Sequence, residues 1–168
     1  ALQEGCPKDA SSHLKIALTL IPGEPSALSN LGNLYRALGK FDYAVRAFQR
    51  AINIRTDFFE AHLNLGNVLS DLGTLDDAEI AYREVLAVNP MLMEARVNLA
   101  RVLISKGETS GALTACHVAL AIFPTHPETL IFLGQLNASG SHTEADEKFF
   151  KRSILIKPDW SMGYEALG

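Results

Sequence analysis

Residues 28–35 read LSNLGNLY, and the same pattern returns every 34 positions: HLNLGNVL at 62–69, RVNLARVL at 96–103 and LIFLGQLN at 130–137. Stacked in register, these octets align Leu31, Leu65, Leu99 and Leu133, with Leu167 following at the same step. The next column is Gly32, Gly66, Ala100, Gly134 and Gly168. Further along each unit, Ala10, Ala44, Ala78 and Ala112 share a column, as do Leu14, Phe48, Tyr82, Cys116 and Phe150. Pro22, Pro90, Pro124 and Pro158 close successive units, with Thr56 the one substitute. A fixed period of this length, with small, aromatic and proline positions at constant offsets, marks a stack of helix–turn–helix units.

Within one unit the columns have physical reasons. Leu28, Leu31, Leu34, Tyr35 and Leu38 recur at three- and four-residue steps, the apolar stripe of a first helix. Gly39 supplies its C-terminal stop. Phe41, Ala44, Val45, Phe48, Ala51 and Ile52 form the stripe of a second helix. Gly32 and Ala44 are small where bulk would hold the two helices apart, and the leucine column is expected to be core. One helix pair leaves a face uncovered, so stability must come from stacking.

These features resemble the tetratricopeptide repeat (TPR) family, whose units read W-x2-L-G-x2-Y…A-x3-F…P. Complete units fall at 25–58, 59–92, 93–126 and 127–160; residues 1–24 match the second half of a unit and 161–168 the opening of another. The resemblance implies an all-α, right-handed superhelical solenoid of antiparallel helix pairs. Because both ends fall inside units, the chain reads as a segment of a longer protein or as its ordered part. The fourth unit is degenerate, with Gly140 one place early and Asp146 beside Ala145 where alanine is expected. That spacing predicts a shortened first helix, a second helix longer by one residue, and a Ser141–Glu144 capping box. His62 and Arg96 stand where the family usually has tryptophan, placing polar groups at half-buried positions.

Composition narrows the function. With 168 residues, 48% hydrophobic and 20% charged, the chain is globular. A net charge of −4 argues against nucleic acid as the main partner, since phosphate binding needs clustered cations. The longest apolar run, Val118 to Phe123, is far short of the roughly 20 residues of a membrane span, and no secretory signal is visible. Cys6 and Cys116 form no CxxC pair, and a cytoplasmic, reducing compartment fits best. No phosphate loop, HExxH, GxSxG or GxGxxG motif is present. Cys116 and His117 are adjacent and diverge by about 100° on a helix, so they cannot act as a catalytic pair. Neither enzyme activity nor a cofactor or metal is expected. The glycosylation sequon at Asn137 to Ser139 is discounted for want of a secretory signal.

Asparagine is the residue type that stands out. Asn30, Asn64 and Asn98 share one column; Asn33 and Asn67 share another, one turn later, continued by Arg101 and Gln135. In the TPR family these positions face a concave groove, which makes Asn30, Asn33, Asn64, Asn67, Asn98 and Arg101 the candidate peptide-binding residues. An amide offers donors and an acceptor, so it pairs with a peptide backbone without reading its side chains. The ladder is similar to that of the O-GlcNAc transferase repeats and stops at Phe132. Glu60, Glu94 and Glu128 form an acidic column at the first turns of successive first helices. There they complement the helix dipole, Asp57 and Thr125 completing capping boxes, or form a negative rail for basic peptide groups. A two-carboxylate clamp of Lys, Asn and Arg, as in chaperone-binding repeats, is not matched by Ser29, Asn33, Asn64, Glu94 and Asn98. The expected function is binding of an extended protein segment. Two alternatives are the substrate-recruiting arm of a larger enzyme such as a glycosyltransferase, and a scaffold that self-associates through open solenoid ends.

Overall fold

Three glycines set the turns. Gly39, Gly73 and Gly107 have φ of 69°, 78° and 76°, a left-handed conformation that side chains resist. Each sits just past a helix end and closes it identically: the Gly39 N–H donates to Arg36 O and Lys40 N–H to Tyr35 O. The same two bonds recur at Gly73 and Thr74, and at Gly107 and Glu108. The reversal that follows lays a second helix back along the first.

The computed structural model describes residues 23–137 and 144–158. The chain divides into two units, Ala1–Pro90 and Met91–Gly168. The first contains α1 (Pro25–Ala37), α2 (Phe41–Ile54), α3 (Phe59–Asp71) and α4 (Leu75–Val88). The second contains α5 (Met93–Ser105), α6 (Thr109–Ile122), α7 (Pro127–Asn137) and α8 (Glu144–Ile156). No strand occurs among the described residues, and the architecture is an all-α array of helical repeats. Helix α7 is described from Pro127 to Asn137, and the shortened end expected from the early Gly140 lies outside the described residues. The expected lengthening of the last helix and the Ser141 cap fall on 138–143, outside the described residues.

Three of the four pairs close through one contact, an aromatic ring laid on a glycine. A Cβ built on Gly32 would lie 2.6 Å from the Phe48 ring, and one on Gly66 would lie 2.8 Å from the Tyr82 ring; Gly134 faces Phe150 the same way. Phe48, Tyr82 and Phe150 are all fully buried. The third pair has the complementary solution, Ala100 with Cys116, both buried. A smaller partner leaves room for the methyl group. Ala44, Ala78 and Ala112, each at 0% exposure, complete the close approach. The leucine column is less uniform than expected. Leu99 and Leu133 are buried, but Leu31 and Leu65 are only half-buried, Leu65 lining an open crevice.

The capping expectations need correction. The residue before α3 is Phe58, which makes no side-chain cap bond, so Asp57 does not cap this helix. At α7 the side chain that receives an N-terminal amide is His126, one residue beyond Thr125. The tryptophan column resolves differently for its two polar members. His62 Nε2 donates to the Thr56 carbonyl at 3.0 Å, a carbonyl being only an acceptor. Its Nδ1 lies 2.9 Å from Glu84 Oε2, close but not aligned as a hydrogen bond. Arg96 is likewise half-buried.

The ring-on-glycine contact predicts that Gly66→Ala destabilises the protein by about 1–3 kcal/mol through overpacking, despite the better helix propensity of alanine. Urea denaturation followed by circular dichroism measures this. Unchanged or increased stability would show that the ring yields freely.

Candidate functional site

The asparagine columns divide into two kinds of side chain. On α1, Asn30 and Asn33 are one turn apart and exposed, and on α3 Asn64 is half-buried. None of the three amides hydrogen-bonds to another described residue. Asn67 is different. It is 9% exposed, and its Oδ1 accepts the Tyr82 hydroxyl at 2.7 Å, pinning the ring that covers Gly66. Next to these amides, Arg36 Nε donates to Asp71 Oδ2 at 2.8 Å and ties α1 to α3. With both side chains more than a third exposed, this pair adds about 0–1 kcal/mol and acts chiefly to fix the position of Arg36.

In the second unit, Asn98 is 8% exposed and its Oδ1 accepts from Arg101 Nη2 at 2.7 Å. Arg101 Nη1 is 3.7 Å from Glu128 Oε1, so α5 meets the first turn of α7 through a guanidinium that remains half exposed. Three of the residues singled out in the sequence therefore form one chain, Asn98–Arg101–Glu128. Glu60 and Glu94 are exposed in the first turns of α3 and α5. Phe132, where the ladder stops, is buried.

Sequence reading missed the Arg36–Asp71 pair, though its separation of 35 is one repeat plus one residue. The Tyr82–Asn67 bond was also signalled, because a tyrosine in a core column must find its hydroxyl a partner. His126 carried no such sign. Its Nδ1 accepts the Thr129 N–H at 3.3 Å and lies 2.9 Å from Thr129 Oγ1. Burial lowers its pKa below the ordinary 6.5, with Glu128 pulling back in the opposite direction. The thiol of Cys116 is pushed up to about 12 by burial, so it stays protonated in the core and is no nucleophile. Among the described residues no group of three His, Cys, Asp or Glu could hold a metal, and no helix is long and apolar enough to cross a membrane.

Two family models match. One, described as TPR repeat, covers residues 32–73, and a second, tetratricopeptide repeat, covers residues 63–127. Among curated proteins none matches the chain. Similar solved structures include MamA, with a TM-score of 0.79 and 22% identity over 86% of this chain and 85% of that one. YrrB, described as a TPR protein with an unusual peptide-binding site, gives a TM-score of 0.79 at 22% identity, covering 96% and 83%. A chain of the APC/C hetero-tetramer Cut9–Hcn1 gives 0.83 at 17% identity, covering 98% of this chain and 33% of its own. At such identities the likeness is one of fold.

Two predictions follow from the side chains above. Asn67→Ala removes the acceptor of the buried Tyr82 hydroxyl and costs about 1–3 kcal/mol, whereas Asn33→Ala, its counterpart in the preceding repeat, changes stability by less than about 0.5 kcal/mol. Equal effects in chemical denaturation would contradict the division. For His126, the unfolded chain takes up a proton near pH 6.5 while the folded site resists until lower pH. Its contribution is present above about pH 6.5 and is lost as pH falls through the lowered folded value. Comparing urea midpoints at pH 7.5 and 5.5, His126→Asn, which keeps a capping acceptor, should shrink the acid loss. An identical loss in both proteins would count against the assignment.

Proposed function

Since residues 32–127, more than half of the chain, belong to the tetratricopeptide repeat family, we propose that the protein is an interaction module that binds an extended peptide segment. The observation that carries this reading is the trio Asn30, Asn33 and Asn64, surface-facing amides whose donors and acceptors are unspent within the described fold. Each such amide can donate to a backbone carbonyl and accept from a backbone N–H. The binding site described for YrrB, a protein of similar fold, supports the same use of the repeats.

The two units offer different chemistry. The first presents neutral amides beside a neutralised Arg36–Asp71 pair. In the second, Asn98 holds Arg101, and Arg101 partly neutralises Glu128. The acidic rail is thereby reduced to Glu60 and Glu94. On this reading backbone recognition dominates, and salt has a modest effect on affinity.

A peptide selected by display against residues 1–168 provides the ligand for calorimetry. Replacing Asn30, Asn33 and Asn64 together by Ala should weaken binding by about 1.5–4.5 kcal/mol, at 0.5–1.5 for each net hydrogen bond, with the melting temperature nearly unchanged. Unaltered affinity would remove the amides from the site.

A further inference from the structure

On another face of the first unit, α2, α3 and α4 enclose a crevice of about 270 Å³. Leu65, Leu69 and Ala81 floor it, and Gln49 of α2 forms one wall. The opposite wall is a single stripe of α4, Asp77, Ile80, Ala81 and Glu84, spaced i, i+3, i+4, i+7. The asparagines of the candidate groove do not line it.

This stripe inverts the ordinary pattern, with an aliphatic centre at the surface and a carboxylate at each end. Ile80 is 57% exposed. The equivalent positions in the other repeats hold Arg46, Thr114 and Lys148, all polar. No other repeat pairs carboxylates at the positions of Asp77 and Glu84, which hold Asp9 and Ile16, Tyr43 and Arg50, Gly111 and Val118, and Ala145 and Arg152. Folding gives no reason to put isoleucine in water here and nowhere else along that column. Glu84 Oε2 lies 2.9 Å from His62 Nδ1, and its side chain stays 54% exposed.

We infer that the α2–α4 crevice binds a partner protein segment of basic–x–aliphatic–x–basic character. The aliphatic side chain enters beside Ile80, and the two basic side chains reach Asp77 and Glu84. The dimensions agree. Seven residues of helix separate the carboxylates by about 10 Å. In an extended peptide every second side chain shares a face, and four residues span about 13 Å, a difference that long basic side chains absorb by leaning inward. The volume accepts one aliphatic side chain, and the cationic ends match a rim whose charged lining residues are both acidic. Asp77 also lies in the first turn of α4, where the helix dipole favours a carboxylate, so the test does not rest on it alone.

The test titrates the peptides Arg-Ala-Leu-Ala-Arg, Arg-Ala-Ser-Ala-Arg and Glu-Ala-Leu-Ala-Glu, capped at both ends, into residues 1–168 while following the Ile80 methyl resonances. The first peptide should shift the Ile80 methyls saturably, and the other two should bind at least tenfold more weakly. Ile80→Thr, the residue found at position 114, should weaken the first peptide about tenfold, and Asp77→Asn about two- to fivefold at low salt. Replacing Asn30, Asn33 and Asn64 by Ala should leave this titration unchanged, which separates it from the groove. Equal binding of the serine peptide, or indifference to Ile80→Thr, would reduce the effect to general charge attraction and overturn the inference. It would fall equally if the wild type proves dimeric by sedimentation and Ile80→Thr makes it monomeric, because the occupant would then be a second copy.

Discussion

Everything in this fold rests on how closely two antiparallel helices approach. A ring laid directly on a glycine backbone sets that distance in three of the four pairs, and the pair Ala100 and Cys116 meets the same constraint with the sizes exchanged. Burying a side chain such as Phe48 contributes about 1.5–3 kcal/mol, but its geometric effect is larger than its energy. A methyl group at Gly32 or Gly66 would drive the helices apart. The consequences would pass to every neighbour, because each repeat is stabilised mainly by the adjacent ones. The left-handed glycines at 39, 73 and 107 serve the same end, bringing the chain around in few residues so that the ring arrives over its glycine.

The period of the sequence made most of this legible. First helices begin at Pro25, Phe59, Met93 and Pro127, because the pattern that defines them is apolar periodicity plus a glycine stop, both local properties. Cys116 was readable as core for a similar reason, since its column told what surrounds it. Capping was read less well. Asp57 and Thr125 have the right spacing for capping boxes, yet the chain enters α3 through Phe58, and α7 through His126 with Pro127 at its start. Cap geometry depends on the dihedral angles of one or two residues, which spacing does not encode. The half-burial of Leu31 and Leu65 escaped the reading for another reason: a column fixes which face a residue lies on, but not how deeply its neighbours cover it.

The candidate site shows the same boundary between pattern and contact. Equivalent columns suggested equivalent roles for Asn33 and Asn67, and for Asn30, Asn64 and Asn98. Exposure separates them: Asn30 and Asn33 stand open, Asn64 is half covered, and Asn67 and Asn98 are buried and bonded. A column therefore assigns a direction, while the identities of other residues in the unit decide what the side chain does there.

In the second repeat the decisive neighbour is a single atom. Phe48 and Tyr82 occupy the same column and cover their glycines in the same manner, but only Tyr82 carries a hydroxyl. Buried, that hydroxyl needs an acceptor, and the nearest amide on the facing helix is Asn67. Phe48 makes no such demand, so Asn33 keeps its amide for solvent or a ligand. In the third repeat Cys116 demands nothing either, and the column of Asn33 and Asn67 carries Arg101, which Asn98 then holds. The core residue chosen at the ring position thus governs which polar groups remain available on the opposite helix. A repeat array can in this way vary its binding chemistry from unit to unit while leaving its backbone geometry constant, because the substitution that changes the surface is made in the interior.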